Sequence, residues 1–199
     1  MSMSTAGKNL VLNALAAAIS HLSVHTAIPD DTGSSEATGG TPAYARKAAT
    51  WGSAASGAVS ISNTPVFDVP AGTFSHYGWW SASTSGTFYG ACPINGGSVR
   101  GVGSVSDAAT DTIRSNGHGL VDNDRVAVRA PIGEALQGAL SATTLYYVVS
   151  STTDTFKVSA TLGGSAVDIA LGELVFQKVI PETYGAQGTL TTNSLSISL

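Results

Sequence analysis

His21 and His25 are the first residues in the chain whose types and spacing could do chemistry. They stand four apart, the spacing of two metal ligands on one helix face. Here, however, His21, Ser23 and His25 alternate with Leu22, Val24 and Thr26, a period of two that predicts a strand. Along a strand, residues i and i+4 lie on one face but roughly 13 Å apart. That is too far for one ion, so both histidines are expected to be structural or exposed. Asp122-Asn123-Asp124 opens like a calcium loop. An EF-hand places Gly sixth and Glu twelfth, whereas Ala127 and Gly133 stand there; the run predicts a turn, since Asp and Asn tolerate left-handed backbone. Gly96, Gly97, Gly101 and Gly103 lack the Lys-Ser/Thr pair and the helix of a phosphate loop, and read as hinges. Nucleophilic catalysis needs a serine or cysteine activated by a positioned histidine. No Gly-x-Ser-x-Gly elbow occurs, and Cys92, between Ala91 and Pro93, reads as a small buried hydrophobe. No catalytic, metal-ligating or cofactor-binding residue is assigned, and no enzyme is expected.

The aromatic pairs carry more information. Neighbouring side chains on a strand point to opposite faces, so Trp79 and Trp80 cannot enter the same core. Trp79 is expected inside with Tyr77, and Trp80 outside. An outward Trp serves as an interface anchor or stacks on a sugar ring, unless the N-terminal helix covers it. Tyr146-Tyr147 pose the same choice, which makes Trp80 and Tyr146 the candidate glycan contacts. Arg46 and Lys47, beside Tyr44, can bridge to Asp68, to Glu182 or to a neighbouring subunit. The candidate interface residues are Leu12, Leu15, Ile19, Tyr44, Arg46 and Trp80.

The elements that must position these residues begin with a helix. Ser4 or Thr5 can cap it, and Leu12, Leu15, Ala16, Ile19 and Leu22 recur at three- and four-residue spacing. One apolar stripe on a short helix implies docking on a sheet of the same chain or on a neighbour. A loop from Pro29 to Pro42 follows, long enough to imply function or an assembly contact. Beyond it, short strands are predicted at Tyr44–Trp51, Ala58–Ser62, Val66–Val69, Phe74–Ser81 and Thr87–Ala91. Others fall at Thr110–Ser115, Asp124–Ala130, Leu145–Ser150, Thr155–Ala160 and Leu174–Lys178, and the chain closes on alternating Leu195, Ile197 and Leu199. Such regular spacing predicts a mainly β fold, an antiparallel sandwich or barrel with an N-terminal helix.

Charge is scarce. Only 11% of the 199 residues are charged, with Gly, Ser, Thr and Ala in their place. Nine basic against thirteen acidic residues leave no basic surface for nucleic acid. The longest weakly polar stretch, Leu10 to Ile19, is about half of what a membrane span needs. Of the 22 charged residues, 14 lie between Asn95 and Ile180. That stretch can bury a core of its own, which predicts an inserted small β domain at 95–180 within a discontinuous domain of 1–94 plus 181–199.

The outer segments resemble a small virion-protein family of tailed bacteriophages, of tail-fibre-like, head-fibre-like or minor tail type. The helix with Leu22–Ala27, Thr38–Lys47, Phe67–Gly72, His76–Trp80, Gly86–Gly90 and the closing Gly185–Leu199 carry the likeness. The insert is similar to a module of phage virion proteins through His118–Val126, Tyr146–Val149, Asp154–Ser159 and Gly163-Gly164. The resemblance implies a structural virion component with no cofactor. Its expected partners are copies of itself, as a trimer, and other proteins of the tail or head, together with a host surface glycan. A capsid decoration protein and a carbohydrate-binding module are the alternatives.

Overall fold

The computed structural model describes residues 3–199, which form two compact units: the residues up to Ala91 with Thr183–Leu199, and Cys92–Glu182. The first unit opens with helix α1 (Thr5–Ala18). Ser4 caps it, its hydroxyl accepting the Gly7 N–H at 3.2 Å and supplying one of the partners a helix start lacks. Leu12, Ala16 and Ile19, one turn apart, are buried. Leu12 and Ile19 therefore belong to the unit's own core rather than to an open interface, and Leu15 is half-buried. The docking implied by the apolar stripe is met within the chain, because the stripe and the short strand near Val59 leave water together.

Seven strands follow the helix: β1 (His21–His25), β2 (Lys47–Ala48), β3 (Ala58–Ser60), β4 (Val66–Val69), β5 (Gly72–Phe74), β6 (His76–Trp80) and β7 (Phe88–Pro93). One sheet has the order β2-β1-β6-β7. Its central pair is antiparallel and in register from His21 opposite Trp80 to His25 opposite His76. The rest of the unit is built by the returning chain end. β14 (Glu182–Tyr184), β15 (Gly188–Thr191) and β16 (Ser196–Ser198) pair with β5, β4 and β3. Leu190 lies opposite Phe67 and Ile197 opposite Val59, so residues far apart in sequence close one core.

The second unit is a closed antiparallel barrel of β8 (Arg100–Val105), β9 (Ile113–Arg114), β10 (Arg125–Arg129), β11 (Leu145–Val149), β12 (Thr155–Ser159) and β13 (Gly172–Val179), ordered β10-β11-β12-β9-β8-β13. Alternate residues of each strand fill the interior: Ile113, Val126, Val128, Tyr146, Val148, Phe156, Val158, Leu174 and Phe176 are all buried there. Closure leaves no open strand edge.

The chain is thus mainly β and antiparallel, with one N-terminal helix and a small barrel. Three local expectations fail. Of Tyr44–Trp51 only Lys47–Ala48 is strand, with an isolated bridge from Trp51 to Ile61. Phe74–Ser81 is divided at Ser75 into β5 and β6. Gly101 and Gly103 are not hinges: they face inward on β8, where a Cβ at Gly103 would strike Ile113 and one at Gly101 would come 2.9 Å from the Phe176 ring.

Candidate functional site

Three of the interface candidates, Tyr44, Arg46 and Trp80, come together around β1 and β6. The face of that pair carrying Ser23, His25, Gly78 and Trp80 is closed by the segment after β1. That segment runs back along the strand, with Thr26 N–H bonded to Ser35 O at 2.9 Å and Ala37 N–H to Val24 O at 2.8 Å. Its remote end is held by Gln187, which accepts from Thr41 N–H and donates to Pro42 O. The long loop from Pro29 to Pro42 is therefore the second layer over this face. Gly33, at φ 75°, rests on Trp80, where any Cβ would overlap the indole.

Trp80 is only 6% exposed, which corrects the expectation that it faces outward. Alternation holds along β6, but both faces of the sheet are covered. Phe88 lies 5.0 Å from the indole, and the Arg46 guanidinium sits 3.4 Å above it. Such a pair is worth about 0.5–2 kcal/mol, more as water is excluded. Four of the five Arg46 N–H groups are also bonded: Nε and Nη2 donate to the Glu36 carboxylate, and Nη1 donates to Ala82 O and Ser85 O. The ion pair measures 2.8 Å, with side chains 10% and 20% exposed. Arg46 thereby clamps the covering loop to the loop before β7. Tyr44 donates to Glu36 Oε1 and accepts the Val24 N–H at 2.8 Å; burial pushes its phenol well above the usual range.

Beneath the clamp lies a buried polar chain. Trp80 Nε1–H donates to Ser23 Oγ at 2.8 Å, and Ser23 and His25 Nε2 are 2.6 Å apart. His25 Nδ1 is 2.8 Å from Ser34 O. An indole N–H only donates and a carbonyl only accepts, so His25 carries its proton on Nδ1 and receives the Ser23 hydroxyl proton on Nε2. Burial lowers the His25 pKa, against the raising influence of the Ser34 carbonyl and of Glu36. A serine donating to a histidine whose far nitrogen is oriented is the arrangement of a nucleophile and its base. Both residues have zero exposure, so no substrate reaches the oxygen; the pair ties loop to strand. Gly78 makes room for it, since a Cβ there would collide with both Ser23 and His25. On the loop itself, Asp30 is lowered to about 2, chiefly by the Thr32 hydroxyl and then by the Thr32 and Ser34 amides. Above the clamp is an open cleft of about 390 Å³ bordered by Thr38, Tyr44, Arg46, Ser83, Thr84 and Ser85.

A loop used as a second layer and a face held by hydrogen bonds describe scaffold work. Residues 2–116 match the model of a protein family described as the podophage GP4 fiber I protein gp80. The chain belongs to this family. It is a phage fibre-type structural component, and the association is with the virion. No curated protein and no solved structure matches significantly. The matched stretch runs through the whole β1–β7 portion of the fibre-family chain and on into the first two barrel strands.

The remaining candidates fall elsewhere. Tyr146, 3% exposed, lies inside the barrel and accepts the Ser141 N–H through its hydroxyl; it offers no surface to a sugar, a second correction. Its neighbour Tyr147 faces the other way, 5.1 Å from the Arg125 guanidinium. Lys47 pairs with Asp68 at 3.2 Å, one of the two acids expected in reach of the basic pair. Asp122-Asn123-Asp124 is a turn with Asn123 at φ 74°. Asp122 accepts Ser151 N–H, and Asp124 accepts Val121 N–H and pairs with Lys178 at 2.7 Å. Among the described residues no cluster of three metal-ligating side chains occurs, and no helix is long and apolar enough to cross a membrane. The sequence reasoning missed Glu36 and Ser34, partners supplied by a loop without periodicity. The one available signal was that Arg46 and Trp80 both needed covering.

Proposed function

We propose that this chain is a non-enzymatic structural subunit of the phage particle that self-associates and docks on it in a tail-fibre-like role. The first unit serves assembly and docking, and the barrel unit faces outward, decorating the particle or meeting the host surface. The family match over residues 2–116 carries this reading. Two further observations support it. The residues outside 95–180 hold only 8 of the 22 charges, a depletion suited to permanent contact with other subunits. The Ser23–His25 pair, built like a nucleophile and base, is sealed inside the unit.

The experiment is gold labelling of purified particles with an antibody against the barrel unit, with adsorption measured in the presence of the purified chain. Label along a tail appendage and reduced adsorption are expected. Label on the capsid transfers the role to a head fibre or decoration protein, and unlabelled particles refute the proposal.

A further inference from the structure

Two of the seven asparagines are followed by glycine, Asn95-Gly96 and Asn116-Gly117. Both asparagines are exposed, and both pairs lie in the barrel unit. In such a pair the side chain can react with its own backbone. The glycine nitrogen gives its proton to hydroxide and attacks the side-chain carbon Cγ. The new N–Cγ bond closes a cyclic imide, the Cγ–Nδ2 bond breaks, and that nitrogen leaves as ammonia with a proton from water. Water then opens the imide at either carbonyl, giving aspartate or isoaspartate. Glycine, without a Cβ, leaves its nitrogen open to this approach, and the first step needs the N–H free to ionise.

The structure treats the two glycine N–H groups differently. Gly117 N–H donates to the Asp154 carboxylate at 3.0 Å. A carboxylate there holds the protonated amide and repels its anion, so ionisation is disfavoured. Gly96 N–H has no hydrogen-bond partner among the described residues. The position is bound to its glycine, because φ is 87° and a Cβ would lie 3.0 Å from Lys178 O and Ile180 N. Beside it, Asn95 O accepts the Ile180 N–H at 3.0 Å, and Asn95 Nδ2 donates to Glu182 Oε1 at 2.9 Å. The nitrogen that would leave is therefore the one that ties the segment leading into the barrel to the segment leading out.

We propose that Asn95 is a site of spontaneous modification whose conversion releases this tie. The amide donor becomes a carboxylate facing Glu182, and like charges so close repel. Isoaspartate also adds a methylene to the backbone next to the Asn95–Ile180 bond. The reaction consumes only water and loses ammonia, so modified chains accumulate with age.

The test incubates the full chain in mildly alkaline buffer and maps its peptides by mass spectrometry at intervals. The exchange of ammonia for water should appear first at position 95. Position 116 should follow about tenfold more slowly, the size of effect one neighbouring charge has on an ionisation. In urea, where neither environment survives, the two rates should converge. In the folded chain, Asp154→Asn should speed position 116 and Asn95→Gln should remove the fast phase. The aged chain, separated by its added charge, and an Asn95→Asp variant should both melt below the wild type. The proposal is overturned by an Asn95 that stays intact, by position 116 converting first or at the same rate in the folded chain, or by an order that persists in urea. A position 116 indifferent to Asp154→Asn, a fast phase that survives Asn95→Gln, or aged chain that melts with the wild type overturns it as well.

Discussion

His25 is a buried base that must stay neutral to accept the Ser23 hydroxyl, and this fixes how the fold responds to acid. Its folded pKa is depressed by burial, while the unfolded value is about 6.5. Below about pH 6.5 the unfolded chain binds a proton that the folded chain refuses, so stability falls as pH falls and levels off beneath the folded pKa. Chemical denaturation from pH 7.5 down to about 5 should show this loss, and His25→Gln should show a smaller slope from a lower starting point. Equal slopes would mean that the network does not exclude the proton. Gly78 tests the same site by volume. Gly78→Ala forces a methyl against Ser23 and His25 and should cost about 1–3 kcal/mol, the usual penalty of overpacking, measured as a lower denaturation midpoint. Arg46→Met leaves the Glu36 carboxylate without its partner in a mostly dry place. Fully buried pairs lose about 3–5 kcal/mol this way; with Glu36 20% exposed, about 2–3 kcal/mol is expected. The sequence brought Tyr44, Arg46 and Trp80 forward together, but Trp80 was assigned to the wrong environment. Period two says which residues share a face and not whether that face is wet, and a face made of Ser, His and Gly looks wet.

At the scale of elements, the same ambiguity decided what could be read. Val66–Val69 is a strand with the bounds its alternation gives. The barrel strands from Arg125 to Val179 lie where runs of Val, Tyr and Phe stand between turn residues. Arg100–Val105 went unread because its inward positions are Gly101, Gly103 and Val105, and two glycines at period two look like a flexible joint. Their smallness is a packing requirement, since Phe176 and Ile113 occupy the space. Gly103→Ala should therefore destabilise the barrel by about 1–3 kcal/mol, whereas Val102→Thr, on the exposed outer face of the same strand, should stay within about 0.5 kcal/mol. Equal effects on the denaturation midpoint would show that β8 is not a wall of the barrel. The strands β14 and β15 were the hardest to foresee, because no local pattern announces them; β16 lies where the closing alternation of Leu195, Ile197 and Leu199 puts a strand, but its partner, like theirs, lies more than a hundred residues away.

Over the whole molecule, two separate cores follow from one interrupted chain, and each should melt as its own cooperative unit. Phe156→Ala removes a fully buried barrel ring and should cost about 3–5 kcal/mol, lowering one calorimetric transition and leaving the other in place. A single transition that moves as a whole would contradict independent cores. The scarcity of charge takes on meaning at this scale. It is concentrated in the unit whose helix turns its few polar side chains inward and shows Leu10 and Val11 to the outside. The most direct test is an electron cryo-microscopy reconstruction of the phage particle. Density for both units is expected in a fibre attached to the particle, repeated around an axis. A particle without this chain, or one carrying it only as isolated single copies, would contradict the proposed function.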